Sequence, residues 1–71
     1  MTDWSEYAKR TLRAEMHRKG ISYADLKEAL GEAGVKETEA NLRNKVSRGS
    51  FTAAFLFQCL SAMDVKTLHL H

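Results

Sequence analysis

Four glycines, at positions 20, 31, 34 and 49, punctuate a chain without proline into segments that each carry helical periodicity. Glycine closes helices readily and weakens their interiors, so glycines placed after apolar-periodic runs predict where helices stop. In the first segment Trp4, Ala8, Leu12 and Met16 recur at i, i+4 spacing, with Tyr7 and Ala14 flanking. That pattern predicts a helix over residues 3–19, with Asp3 as N-cap and Gly20 beyond its end. Ser22, followed three residues on by Asp25, resembles a capping box, and Tyr23, Leu26, Leu30 and Ala33 share one face of a second helix over 22–33. Gly31 and Gly34 leave the end of that helix open, and residues 34–37 read as the turn after it. Thr38 is placed to cap a third helix over 38–48, which Gly49 closes. Ser50 or Thr52 caps a fourth over 51–63, where Phe55, Leu56, Cys59, Leu60 and Met63 form a broad apolar arc. That helix is the expected centre of the core.

Residues 65–71 alternate instead, with Val65, Thr67, His69 and His71 on one side and Lys66, Leu68 and Leu70 on the other. This is a strand period in a chain with no other strand. The tail is either a short helix or extended cover whose Leu68 and Leu70 close the core, or it pairs with the same segment of a second copy; the first is favoured.

With 71 residues, 44% apolar and 28% charged, the composition suits one globular domain spanning 1–71. A chain this short buries only about 60% of its unfolded surface, so a partner subunit is a reasonable source of added stability. A single cysteine, Cys59, cannot form an internal disulfide and fits a reducing compartment. Residues 1–10 carry charges where a signal peptide needs an apolar stretch, and no apolar run approaches a membrane span, so a cytoplasmic protein is expected. The net charge is only +2, but the charges are unevenly placed. Residues 21–39 are dominated by Asp25, Glu28, Glu32, Glu37 and Glu39, whereas 43–48 hold Arg43, Lys45 and Arg48 without an acid.

Projected at about 100° per residue, the third helix turns Leu42 and Val46 to one side and Ala40, Asn41, Asn44, Ser47 and Arg48 to the other, with Arg43 and Lys45 at the borders. A helix buried by two residues docks by one edge and presents the rest. Its outward face is short and amide-rich, which suits close approach to base edges: Asn pairs with adenine, Arg with guanine, and Ala touches a thymine methyl. Arg43 and Lys45 would straddle the groove toward phosphates. An ordinary solvated face, with basic residues favouring the helix C-terminus, explains the same pattern.

The run Leu12-Arg13, then Arg18-Lys19-Gly20-Ile21-Ser22-Tyr23-Ala24-Asp25-Leu26, then Val46-Ser47-Arg48-Gly49, then Ala62-Met63-Asp64-Val65, resembles the lambda-repressor-like (Cro/C1 type) helix-turn-helix family over about residues 12–68. The run Asn41-Leu42-Arg43-Asn44-Lys45 with Arg48-Gly49 is similar also to a small bacterial domain family of unassigned function. The first resemblance implies a compact four- to five-helix bundle containing a helix-turn-helix, a double-stranded DNA partner and a role in transcription. It places Ala40, Asn41 and Asn44 toward bases and Tyr23 toward phosphate; together with the projection, the expected base-facing set is Ala40, Asn41, Asn44, Ser47 and Arg48 and the expected phosphate-contacting set Tyr23, Lys27, Arg43 and Lys45. The family has a small Ala where this chain has Lys27, and a shorter connection than residues 30–38. Glu37 and Glu39 suit a helix N-terminus but would repel phosphates.

The first helix carries a second basic face, Lys9, Arg10, Arg13 and His17, most simply a solvated one with a Glu6–Arg10 pair at i, i+4. His69 and His71, with Cys59 or His17, have no diagnostic metal spacing, and Cys59 reads as a small buried hydrophobe. With no phosphate loop, paired catalytic carboxylates or Ser-His-Asp order, no enzyme activity, metal or cofactor is expected. Self-association through Phe57 or residues 65–71 would give a homodimer spanning successive major grooves. The alternative is a protein-interaction module, an adaptor or antagonist that keeps the fold without binding DNA; near-neutral charge and the acidic stretch 25–39 motivate it.

Overall fold

Each helix begins where a short polar side chain takes over an orphan backbone N–H. In the computed structural model, which describes residues 3–68, four α-helices follow one another: α1 Trp4–Lys19, α2 Tyr23–Glu32, α3 Glu39–Arg48 and α4 Ala53–Ala62. Asp3 accepts from the N–H groups of Ser5 and Glu6 at 3.1 Å each. Ser22 and Asp25 complete a reciprocal capping box, the Ser22 N–H donating to Asp25 Oδ2 at 3.0 Å and the Asp25 N–H to Ser22 Oγ at 3.1 Å. The Ser22 N–H holds the Asp25 carboxyl below its ordinary value. Thr38 and Thr52 cap α3 and α4 through the N–H groups of Asn41 and Phe55.

Three of the four helices end alike. The N–H groups of Ile21, Val35 and Val65 reach back five residues, each at 2.8 Å, to the carbonyls of Met16, Leu30 and Leu60. This is the Schellman closure, and each apolar residue beyond it packs against the core. Glycine occupies the left-handed position in α1 and α2, at Gly20 and Gly34, whereas Asp64 occupies it after α4 with φ 58°. Helix α3 stops differently, at buried Gly49, whose backbone lies against the carbonyl of Ser5 in the first turn of α1.

The core is Leu12 and Met16 from α1, Leu26 and Leu30 from α2, Leu42 and Val46 from α3, and Phe55, Cys59, Leu60 and Met63 from α4 and its end. The packing partners run in a closed ring, α1 on α3, α3 on α2, α2 on α4 and α4 on α1. Among the described residues, α2 and α3 are therefore the only helices consecutive in sequence whose backbones approach one another closely.

Two sequence expectations change. Trp4 shares the i, i+4 face of Leu12 and Met16 but is 70% exposed in the first turn of α1, its ring tilted against that of Tyr7 with 5.6 Å between centroids. Ala33, expected on the buried face of the second helix, is exposed as its C-cap. Residues 65–68 form neither helix nor strand; Val65 and Leu68 lie half-buried on the core as extended cover. His69, Leu70 and His71 lie outside the described residues.

Candidate nucleic-acid interface

Helix α3 buries Leu42 and Val46 completely and leaves Ala40, Asn41, Asn44, Ser47 and Arg48 exposed. Asn41, Asn44, Ser47 and Arg48, with the border residue Lys45, line one open groove along it. Among the described residues the side chains of Asn41, Asn44 and Arg48 make no hydrogen bond or ion pair, so their donors and acceptors meet solvent.

The flanks of α3 are engaged on both sides. On one, Arg43 lies over the Tyr23 ring with Cζ 5.1 Å from its centroid, and its Nη2 donates to Glu39 at 3.0 Å. On the other, Lys45 donates to Glu37 and lies 5.1 Å from the centroid of the Phe55 ring. The two carboxylates that threatened to repel an approaching polyanion are thus each matched by a cation. Lys45 is half-buried by that arrangement and is directed toward α4 rather than outward. Exposed Lys27 shares a groove with Lys36, Glu28, Glu37 and Glu39, an environment of mixed sign.

One residue enters the site from the basic face of α1. Arg13 of α1 donates through Nη2 to Ser47 Oγ at 3.1 Å and through Nε to the Tyr23 hydroxyl at 3.5 Å. Its neighbours on the same basic face, Lys9 and Arg10, are engaged with Glu6 at 2.8 and 3.2 Å. Lys9's hydrogen bond accordingly holds the Glu6 carboxyl below its usual value. The signal for Arg13 was its place in the Leu12-Arg13 pair of the family resemblance; helical periodicity cannot show which side chain crosses to another helix.

Cys59 is fully buried, and burial pushes its thiol up to about 12, which favours the neutral thiol. Among the described residues no group of three His, Cys, Asp or Glu side chains is placed to hold a metal ion. No helix there is long and apolar enough to cross a membrane. Phe57 is 62% exposed beside a groove formed with Leu60, Val65 and Leu68.

The sequence model of one family, a domain of unknown function (DUF6471), matches residues 4–68, from the first turn of α1 through the described tail. No curated protein and no solved structure matches the chain.

Proposed function

The chain belongs to the DUF6471 family, and we propose that it binds double-stranded DNA sequence-specifically, as a small transcriptional regulator that lays α3 in the major groove. In this reading α2 and α3 act as a helix-turn-helix of the lambda-repressor-like kind, with the start of α2 on the phosphate backbone. The observation that carries it is the outward face of α3, where exposed Asn41, Asn44 and Arg48 have no partner among the described residues and small Ala40 permits close approach. Asn side chains bond adenine edges, Arg48 bonds guanine, and Ala40 touches a thymine methyl. The packing of α2 directly on α3 supports the same reading, since that pair must move onto DNA as one body.

Selection from a random duplex pool at two salt concentrations tests it. One enriched motif is expected, with affinity falling steeply as salt rises. Asn44→Ala or Arg48→Ala should relax preference at single positions by about 1–3 kcal/mol without changing the thermal melt. No binding at low salt would refute the proposal. Half-site spacing in the enriched motif would also tell whether a homodimer through Phe57 or the tail binds.

The second reading, a protein-interaction module, draws on the pairing of Arg43 with Glu39 and Lys45 with Glu37, which offsets part of the basic charge along α3. A stoichiometric protein partner that survives nuclease treatment in a pulldown would favour it.

A further inference from the structure

The cluster of Arg13, Tyr23, Arg43 and Ser47 draws side chains from three helices and holds more positive charge than it neutralises. Arg13 donates to two neutral hydroxyls, at 3.5 Å on Tyr23 and 3.1 Å on Ser47, and to no carboxylate. Arg43 lies over the same tyrosine ring, 5.1 Å from its centroid, with Glu39 on one of its nitrogens at 3.0 Å. Two guanidinium groups therefore meet one tyrosine, and the one carboxylate of the cluster, Glu39, is paired with Arg43 alone.

Hydrogen-bond capacity points the same way. A guanidinium has five N–H donors, and a hydroxyl that accepts still has its own proton to give. Arg13 retains unengaged N–H groups, and the Tyr23 and Ser47 hydroxyls retain their protons. The cluster holds more donors than acceptors, and no carboxylate meets Arg13, which suits an anion with several oxygens around one centre. Its position fits too: by helical projection Ser47 lies between Ala40 and Arg43, toward the Arg43 edge of the outward face of α3. A groove-bound helix meets the sugar-phosphate backbone at that edge.

We propose that Arg13, Tyr23, Ser47 and Arg43 form a seat for one backbone phosphate of the DNA duplex, with Arg13 of α1 supplying its principal charge. The inference rests on the DNA-binding reading of α3, and it moves Ser47 from reading bases to holding the backbone. Because the seat contacts no base, it sets affinity and register for every sequence alike.

Two measurements test it separately. Arg13→Ala should weaken binding to all duplexes about ten-fold, the loss of one charge-assisted contact. It should also lower the slope of log affinity against log salt by about 1 while leaving the enriched motif unchanged. Arg13→Lys should keep the slope but lose part of the affinity, since an ammonium cannot span both hydroxyls. An Arg13→Ala protein that melts like the parent and binds duplex with the parent's affinity and salt slope would overturn the seat. Should Arg13→Ala fail to fold, Arg13→Lys decides, and parent-like affinity would be the refuting result. In parallel, inorganic phosphate is titrated into the parent against chloride at matched ionic strength, followed by NMR of the Arg13 side-chain N–H groups. Saturable shifts centred on Arg13, Tyr23 and Ser47 are expected; none, or uniform ones, count against the seat. Saturable phosphate binding in a protein with no duplex affinity would overturn the duplex as its source and the DNA reading together, leaving a site for a free phosphate compound.

Discussion

Helices α3 and α4 are the same length, 10 residues each, and both start on a threonine whose hydroxyl accepts from the N–H three residues on. From there they diverge. Helix α4 has no charged residue and buries Phe55, Cys59 and Leu60, so its own side chains hold it in place. Helix α3 has charges at Glu39, Arg43, Lys45 and Arg48, buries only Leu42 and Val46, and leaves six positions from 40 to 48 exposed. What α3 lacks in apolar area it recovers at its borders and its end: Arg43 on Tyr23, Lys45 on Glu37 and Phe55, and Gly49 on the backbone of α1. One helix is fixed by its surface. The other is fixed by its edges, which keeps its outward face available to a partner.

The difference is tested hardest at Gly49. A Cβ there would lie 2.1 Å from the Ser5 carbonyl oxygen and 2.8 Å from its carbon, and the backbone sits at φ 70°, where L side chains are strained. Neither clashing atom is a flexible side chain, so the α1–α3 junction would have to open. Gly49→Ala should cost roughly 3 kcal/mol or more, a large share of the stability of a domain this small, and a denaturant melt would measure it. A loss below about 1 kcal/mol would mean that α3 does not depend on this junction.

Much of this architecture was legible in the sequence. Asp3, the Ser22–Asp25 pair and Thr38 cap helices because their side chains reach N–H groups two or three residues away, a local geometry that spacing alone specifies. The outward set on α3 follows from period 3.6 once Leu42 and Val46 face inward. Tertiary crossings were not legible. Arg13 reaches residues 10 and 34 positions away, and Lys45 meets Glu37 eight positions back, in the turn that precedes α3. The 70% exposure of Trp4 was not legible either, since periodicity gives the face a residue shares and not how far along that face the core extends.

A smaller effect is expected within α4, at the residue its neighbours enclose most completely. Cys59→Ser places a hydroxyl in an apolar site and should cost about 1–3 kcal/mol, with no effect on the outward face of α3. The pH dependence has a defined sign. Burial raises the Cys59 thiol from 9.0 to about 12, so the neutral thiol is favoured on folding. Its contribution to stability is fully present below pH 9 and is lost as pH rises from there toward 12, where the unfolded chain can ionise but the folded one resists. Melts at pH 8 and pH 10.5 for the parent and Cys59→Ala should differ in this interval; equal losses in both proteins would show that the thiol is not sealed by α4.

The smallest effect separates the two helices at their ends. Both stop at a left-handed residue, but α3 uses Gly49, which the adjoining backbone makes irreplaceable, while α4 uses Asp64 at φ 58° in a position that α1 and α2 give to glycine. The Asp64 side chain is exposed, and its ion pair with Lys66 is long, 3.8 Å between two highly exposed groups, where such pairs contribute little. Its backbone carbonyl, which accepts from Lys19 Nζ at 3.3 Å, is kept by any residue. Asp64→Gly should therefore relieve left-handed strain and raise stability by roughly 0.5–1 kcal/mol, partly offset by the greater freedom of glycine in the unfolded chain. Opposite signs for Gly49→Ala and Asp64→Gly in one set of melts would show that the end of α3 is a packed junction and the end of α4 an open turn. A loss at Asp64→Gly would instead mean that the aspartate side chain holds the segment 65–68 against the core.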